Sequence, residues 1–404
     1  MLKIGQYFTK DTTLQSKVVS LCSNKGSCLE PSAGEGHLVK VLEVTRQPIV
    51  ALELDNTLSS VCKNYINFID FFDYPITNKF NTIFGNPPFL KIREVPEQIR
   101  KKIFKDSLLS NCNLFYYFIE KSFKHLKTGG ELVFIIPREF VNSTRAIPLR
   151  EMLYKNGTIT HFIDYKEKKL FKDAAPNIII IRYEKDNLSH KTIYEVENKV
   201  EILDEVLHNG SYLFSNTKCK NILSNFFNIK VGLVTGLNKV FAKKFKFSIE
   251  TICSDYRVTK KKKNFIFCDE YSLEYIKRKD LDLYNYLYLH KTELINRKIK
   301  KFNENNWYHY GAVRNLKQMQ RKGRCIYVNA KTRVEKPFFI DDIGYFDGSV
   351  LALYPICNEV RLNLGSWCSY LNNNVKLFEE QGLYVNNKYI LTVKTLSDMC
   401  VNKN

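Results

Sequence analysis

One pattern constrains the fold more than any other. Over roughly the first 185 residues, short apolar runs alternate with stretches of helical period. The runs at 27–30, 49–53, 68–70, 82–85, 131–136, 159–163 and 178–183 have the length of strands. Between them, 12–23, 38–44, 57–65, 96–108 and 114–126 are patterned as helices, with a Gly129-Gly130 turn before the fifth strand. Such alternation predicts an α/β domain around a mainly parallel, Rossmann-like sheet, with ligands beyond the carboxyl ends of its strands. The alternation fades after about Glu184, and the remainder mixes Lys, Asn, Tyr and Phe without a clear period. At 404 residues the chain exceeds one ordinary core. Two domains are expected, 1–218 and 219–404, the second a smaller mixed α/β unit.

Composition narrows the class. With 44% apolar and 13% aromatic residues, global disorder is excluded. The longest aliphatic run, 178–181, is far too short to span a bilayer, and no basic-then-apolar leader opens the sequence, so a cytoplasmic location is expected. The 11 cysteines are scattered with no CxxC pair, which argues for reduced packing residues and against a disulfide framework or metal module. The net charge of +20 is unevenly placed. Residues 1–218 carry 30 basic and 25 acidic side chains, whereas 219–404 carry 32 and 17, with 24 against 10 in 239–335 alone. A localised basic stretch of this kind fits a polyanion partner. Lys260, Lys261, Lys262 and Lys263, together with Arg321, Lys322 and Arg324, are its densest points; each group is either a phosphate contact or a solvated run.

The loop after the first strand runs Glu30-Pro31-Ser32-Ala33-Gly34-Glu35-Gly36. Gly34 and Gly36 permit a tight turn and close approach of the backbone to a ligand. A dinucleotide fingerprint requires a third glycine at position 39, which is Val39, and the acidic Glu30 and Glu35 would repel a pyrophosphate. A cationic ligand would be favoured instead. Glu53 ends the second strand and is placed to accept from a ribose diol. Asp70 can accept from an adenine amino group, and Phe71 can cover the ring. Together these features point to S-adenosylmethionine, which carries an adenosine, a diol and a cationic end but no phosphate.

After the fourth strand comes Gly85-Asn86-Pro87-Pro88-Phe89. Consecutive prolines fix the backbone and remove two N–H donors, so nearby carbonyls stay available to accept. With the Asn86 side chain they form a rigid acceptor pair suited to an exocyclic amino group. Phe89 offers a face to a planar base. A duplex base must leave the stack to enter such a site, and Phe171 is the expected second wall.

These motifs, in this order, resemble those of the gamma-class DNA amino-methyltransferases, and the Taq-type adenine-N6 modification methylases in particular. The segment ending at Thr9 is similar to the N-terminal cofactor motif, and Asn86-Pro87-Pro88-Phe89 resembles the catalytic motif with Phe in place of the common Tyr. Asn113-Leu114-Phe115, 129–137 and the Phe171 segment continue the pattern. The resemblance covers about residues 1–185; more weakly, 231–241 is similar to the start of a target-recognition domain. It implies a direct methyl transfer from S-adenosylmethionine to the N6 amino group of a flipped adenine in double-stranded DNA. Thr9, Glu30, Pro31, Ser32, Gly34, Gly36, Glu53, Asp70, Phe71 and Asn86 would hold the cofactor; Asn86, Pro87 and Phe89 would serve the reaction; Phe89 and Phe171 would stack on the base. No metal is implied. A monomer with a separate cognate restriction endonuclease is the expected setting, and an RNA or protein-glutamine amino-methyltransferase is the alternative.

Overall fold

The computed structural model describes residues 9–43, 48–58, 61–62, 65–166, 177–197, 199–208, 210–215, 221–375, 384–385 and 388–401. Two compact units divide at residue 218/219.

The first unit is one ten-stranded sheet. Its strands are β1 (Cys28–Glu30), β2 (Ile49–Glu53), β3 (Ile66–Phe68), β4 (Phe80–Gly85), β5 (Leu126–Pro137), β6 (Gly157–Asp164), β7 (Ile178–Lys185), β8 (Lys191–Val196), β9 (Lys199–His208) and β10 (Ser211–Ser215). They lie in the order β10-β9-β8-β6-β7-β5-β4-β1-β2-β3. From β3 to β5 every pairing is parallel; β7 enters antiparallel between β5 and β6. This is the Rossmann-like arrangement expected.

The helices are α1 (Thr12–Leu21), α2 (His37–Glu43), α3 (Glu97–Lys105), α4 (Leu114–His125) and α5 (Ile147–Asn156). Side chains alternate between two cores. Leu29, Leu52, Ile83, Phe134, Ile179 and Ile181 face one that includes α4 and α5 residues. Cys28, Ala51, Phe84, Val133, Ile178 and Ile180 face the other, with Leu14, Val18 and Leu38 of α1 and α2. Burial on both faces explains why these strands show continuous apolar runs without a period of two.

Four expectations change. The described residues of 57–65 form turns, not a helix. Gly129 lies inside β5 with φ +65°, where the pairing with β4 shifts register, so the Gly-Gly pair breaks a strand instead of preceding it. The sheet also continues past Glu184 through β8–β10, whose outer faces are half-exposed and carry Lys and Glu that blur the pattern. Finally, nine of the described cysteines stand outside any disulfide, seven of them buried, but Cys400 is disulfide-bonded, since sequence spacing does not reveal spatial neighbours.

The second unit is mixed α/β. Strands 227–231, 350–355, 324–329 and 339–342 make an antiparallel four-stranded sheet, and 263–266, 248–252 and 345–346 a smaller one. It has two apolar clusters of its own, one around Trp307, Tyr310 and Tyr327 and one around Trp367 and Leu353. Among the described residues no helix is long and apolar enough to cross a membrane.

Candidate active site

In the first unit the chain runs from β1 outward to β2 and β3, then returns to place β4 on the other side of β1. Adjacent loops diverge at such a switch point and leave a crevice at the carboxyl edge. Here it is a cleft lined by Thr9, Glu30, Ser32, Gly34, Glu35 and Asn86, among others. The sequence-predicted residues Thr9, Glu30, Ser32, Gly34 and Asn86 therefore meet at one place.

The loop after β1 turns on Gly34 and Gly36, with φ +56° and +82°, values that side chains disfavour. Glu53 at the end of β2 holds this turn. One carboxylate oxygen accepts from the Gly34 N–H at 2.7 Å, and the other from the Leu54 and Asp55 N–H groups, both at 2.9 Å. Glu53 thus shapes the loop, and a carboxylate with about four lone-pair sites has acceptor capacity beyond those three bonds.

Glu30 is 2% exposed, and its Oε2 has no hydrogen-bond partner among the described residues. Burial, with the nearby Glu53 charge, raises its pKa well above the usual carboxylate range. Glu35 is different. Lys10 lies 3.0 Å and His37 2.9 Å from its carboxylate. Desolvation is the largest influence on Glu35 and opposes ionisation, but these two partners together prevail and lower its pKa.

At the end of β4 the Asn86 Nδ2 donates to Thr9 Oγ1 at 3.2 Å, while Ser32 Oγ donates to the Asn86 carbonyl at 3.5 Å. The first bond orients the Asn86 amide plane; the second ties the Asn86 backbone to the loop after β1. Pro31 and Pro87 are buried behind these contacts. The half-buried Phe89 stands edge-on to Phe115, ring centres 6.1 Å apart. Asp70 caps the short helical turn Phe71–Asp73, accepting from Phe72 N–H at 2.9 Å, with Lys102 3.8 Å away. Phe71 is 3% exposed and stacks on Phe118 at 5.2 Å, so its ring is a core element with little face to offer a ligand. Phe171 lies outside the described residues.

Sequence reasoning missed a buried pair at the same edge. Arg138, just beyond β5, donates to Asp164 at the end of β6 at 2.7 Å. The other Asp164 oxygen accepts from Lys166 N–H, and Arg138 N–H donates to the Asn177 carbonyl. The pair is 26 residues apart, and no local signal announces it.

In the second unit the two basic segments converge. The Lys262 ammonium lies beside Gly344, and the neighbouring Ile343 N–H donates to the Gly323 carbonyl at 2.8 Å. Arg324 pairs with Asp342 across the same hairpin. Lys261, Arg321, Lys322 and Arg324 are exposed around that turn. Lys263 instead makes an ion pair with Asp255 at 2.7 Å, and Lys260 lies over the Tyr256 and Phe339 rings.

Comparison with known proteins follows this geometry. Residues 38–171 match the family described as Eco57I restriction-modification methylase. The chain is 27% identical to the Type II methyltransferase M.HindII of Haemophilus influenzae, over 92% of this chain and 84% of that protein. It is 32% identical to M.HincII of the same species, over 50% of this chain and 42% of that protein. The Type IIL restriction-modification enzyme MmeI, solved in complex with DNA, aligns over 96% of this chain and 64% of its own, with a TM-score of 0.64 at 9% identity, a likeness of fold. The resemblance drawn from the strand-end motifs is thus borne out by restriction-modification methylases.

Proposed function

We propose that this chain is a site-specific DNA methyltransferase that moves a methyl group from S-adenosylmethionine to the N6 amino group of a flipped adenine, as the modification enzyme of a type II restriction-modification system. The observation that carries this reading is the meeting of Asn86, Thr9 and Glu30 at the sheet's switch point. The cleft suits the cofactor. Its buried carboxyl with an unpartnered oxygen and its acidic lining favour a cation and disfavour a phosphate. The matched methylase family and the type II methyltransferase relatives support the choice of DNA.

When bound, S-adenosylmethionine supplies an electrophilic methyl on a sulfonium leaving group. The chain's own task is positioning. The Asn86 amide oxygen and the Pro87 carbonyl accept from the adenine amino group and aim its lone pair at the cleft. Thr9 fixes the amide orientation, and the prolines keep that backbone rigid. Phe89 provides a stacking face, an interaction worth about 1–3 kcal/mol per base. Phe171 is the proposed opposite wall. Glu53 holds the loop and accepts from the ribose hydroxyls; Asp70 accepts from the cofactor's adenine. Glu53→Ala should therefore lower cofactor affinity by about tenfold or more, since it removes bonds to three backbone donors as well as to the ligand. Titration calorimetry would check this, and unchanged affinity would remove Glu53 from the site. The basic second unit binds double-stranded DNA, and cleavage belongs to a separate endonuclease. The enzyme acts as a monomer in the cytoplasm.

The deciding experiment incubates the protein with unmodified bacterial genomic DNA and labelled S-adenosylmethionine, then maps modified bases by single-molecule sequencing. N6-methyladenine at one short motif is expected. Cofactor binding with no methylated DNA would transfer the reading to RNA or protein-glutamine amino groups.

A further inference from the structure

We propose that Glu30 senses the charge of the bound cofactor, giving up its proton when the cationic methyl donor binds and keeping it when the neutral thioether product binds, so that the site discriminates donor from spent product. This rests on the cofactor reading above and adds a role that the fold does not require.

Geometry isolates this carboxyl. Glu30 closes β1, the third strand from the β3 edge of the sheet, and is 2% exposed, yet it lines the cleft. Its Oε2 has no hydrogen-bond partner among the described residues. Burial penalises the charged form of a carboxyl in that condition and favours the neutral one. The surrounding charges do not relieve it. Glu53 on β2 adds repulsion, and its own oxygens are engaged by backbone N–H groups. Glu35 of the loop and Lys10 ahead of α1 neutralise each other, with His37 of α2 as a third member of that cluster. The Cys62 thiol, near enough to feel Glu30, is itself pushed up. From β4 the approach is made by Gly85, whose hydrogen faces the Glu30 side chain. In the empty protein, burial and then the Glu53 charge push the Glu30 pKa well above the usual carboxylate range and favour its neutral form.

A sulfonium ligand changes this balance. S-adenosylmethionine adds one net positive charge to the cleft, which favours the Glu30 carboxylate and releases one proton to solvent. The product carries an ammonium and a carboxylate but no sulfonium, and it adds no net charge. When transfer converts sulfonium to thioether, Glu30 regains a proton from solvent. The sign follows from linkage. Between the low pKa of the donor complex and the raised pKa of the empty site, donor affinity rises about tenfold per pH unit, then levels off above the latter. Product affinity stays flat across that range.

The test needs no DNA and no turnover. Titration calorimetry of the full chain at mildly acidic pH, in two buffers of different ionisation enthalpy, counts protons released by each ligand. About one proton for S-adenosylmethionine and none for S-adenosylhomocysteine is expected. Glu30→Gln should abolish the release and bring donor affinity to within a few-fold of product affinity. Equal proton counts for the two wild-type ligands, or a Glu30→Gln protein that still releases the proton, would overturn the proposal and leave the cofactor reading intact. Failure of both ligands to bind would overturn the two together. The wild-type comparison decides the matter even if the variant does not fold.

Discussion

Asn86→Ala is expected to reduce methyl transfer by about a thousandfold or more while cofactor affinity changes less than about tenfold. The asymmetry follows from where Asn86 sits. Two of its contacts bear on the cleft: Nδ2 donates to Thr9 Oγ1 at 3.2 Å, and its backbone carbonyl receives the Ser32 hydroxyl at 3.5 Å. The substitution keeps the second and loses the first. The loop that would hold the cofactor keeps its own bracing from Glu53. What disappears is one of two acceptors placed on a proline-stiffened strand end, and an amino group held by one acceptor can rotate its lone pair away from the methyl. Interactions of this kind, made to a group only as it reacts, carry most of their worth in the transition state. Asn86→Asp is a sharper probe, because it keeps an acceptor oxygen while replacing the donor to Thr9 with another acceptor and adding charge. Single-turnover rates with a cognate duplex, set beside calorimetric cofactor affinities, separate the two effects. A variant that loses affinity and rate in equal measure would make Asn86 a cofactor ligand with no part in transfer.

Some of this site was legible before any coordinates, for identifiable reasons. Glu30, Gly34, Gly36, Glu53, Asp70 and Asn86 all lie at or just beyond strand ends, and in a parallel sheet the carboxyl ends converge on one edge. Short local motifs are therefore enough to place them. Phe71 shows the limit. Its position beside Asp70 made it a plausible ring cover, but the aromatic residues Phe118 and His125, some fifty residues later, claim its faces. The Arg138–Asp164 pair, and the buried Glu131 that accepts from Asn24, Thr82 and Arg182, were invisible for the same reason. Each joins segments whose separation in sequence carries no period. The outer strands β8–β10 escaped because their exposed faces are charged, and alternation is a signal of burial. In the second unit, strand 248–252 pairs antiparallel with 263–266 and parallel with 345–346, so the nearness of Lys262 to the Arg321–Arg324 segment emerges only in three dimensions.

That nearness sets the second large effect. Replacing Lys261, Lys262, Arg321, Lys322 and Arg324 together with Gln should flatten the salt dependence of DNA binding by about 4.5 in log–log slope, roughly 0.9 per lost phosphate contact. At low salt the affinity should fall by orders of magnitude, to a similar extent on cognate and unrelated duplexes, because phosphate contacts position a protein without distinguishing bases. Lys260 and Lys263 are left out for a physical reason. The first lies over the Tyr256 and Phe339 rings, and the second is paired with Asp255, so their charges are partly spent within the protein. The five chosen side chains make no ion pair among the described residues, and most stand exposed to solvent. Their removal should barely affect folding, since exposed substitutions away from packed features typically change stability by less than about 0.5 kcal/mol. The methylated motif should stay the same and only the DNA concentration needed should rise. Fluorescence anisotropy across a salt series measures the slope. An unchanged slope would make this cluster a solvated surface and move the phosphate contacts elsewhere on the second unit, whereas a changed motif would show that these side chains touch bases.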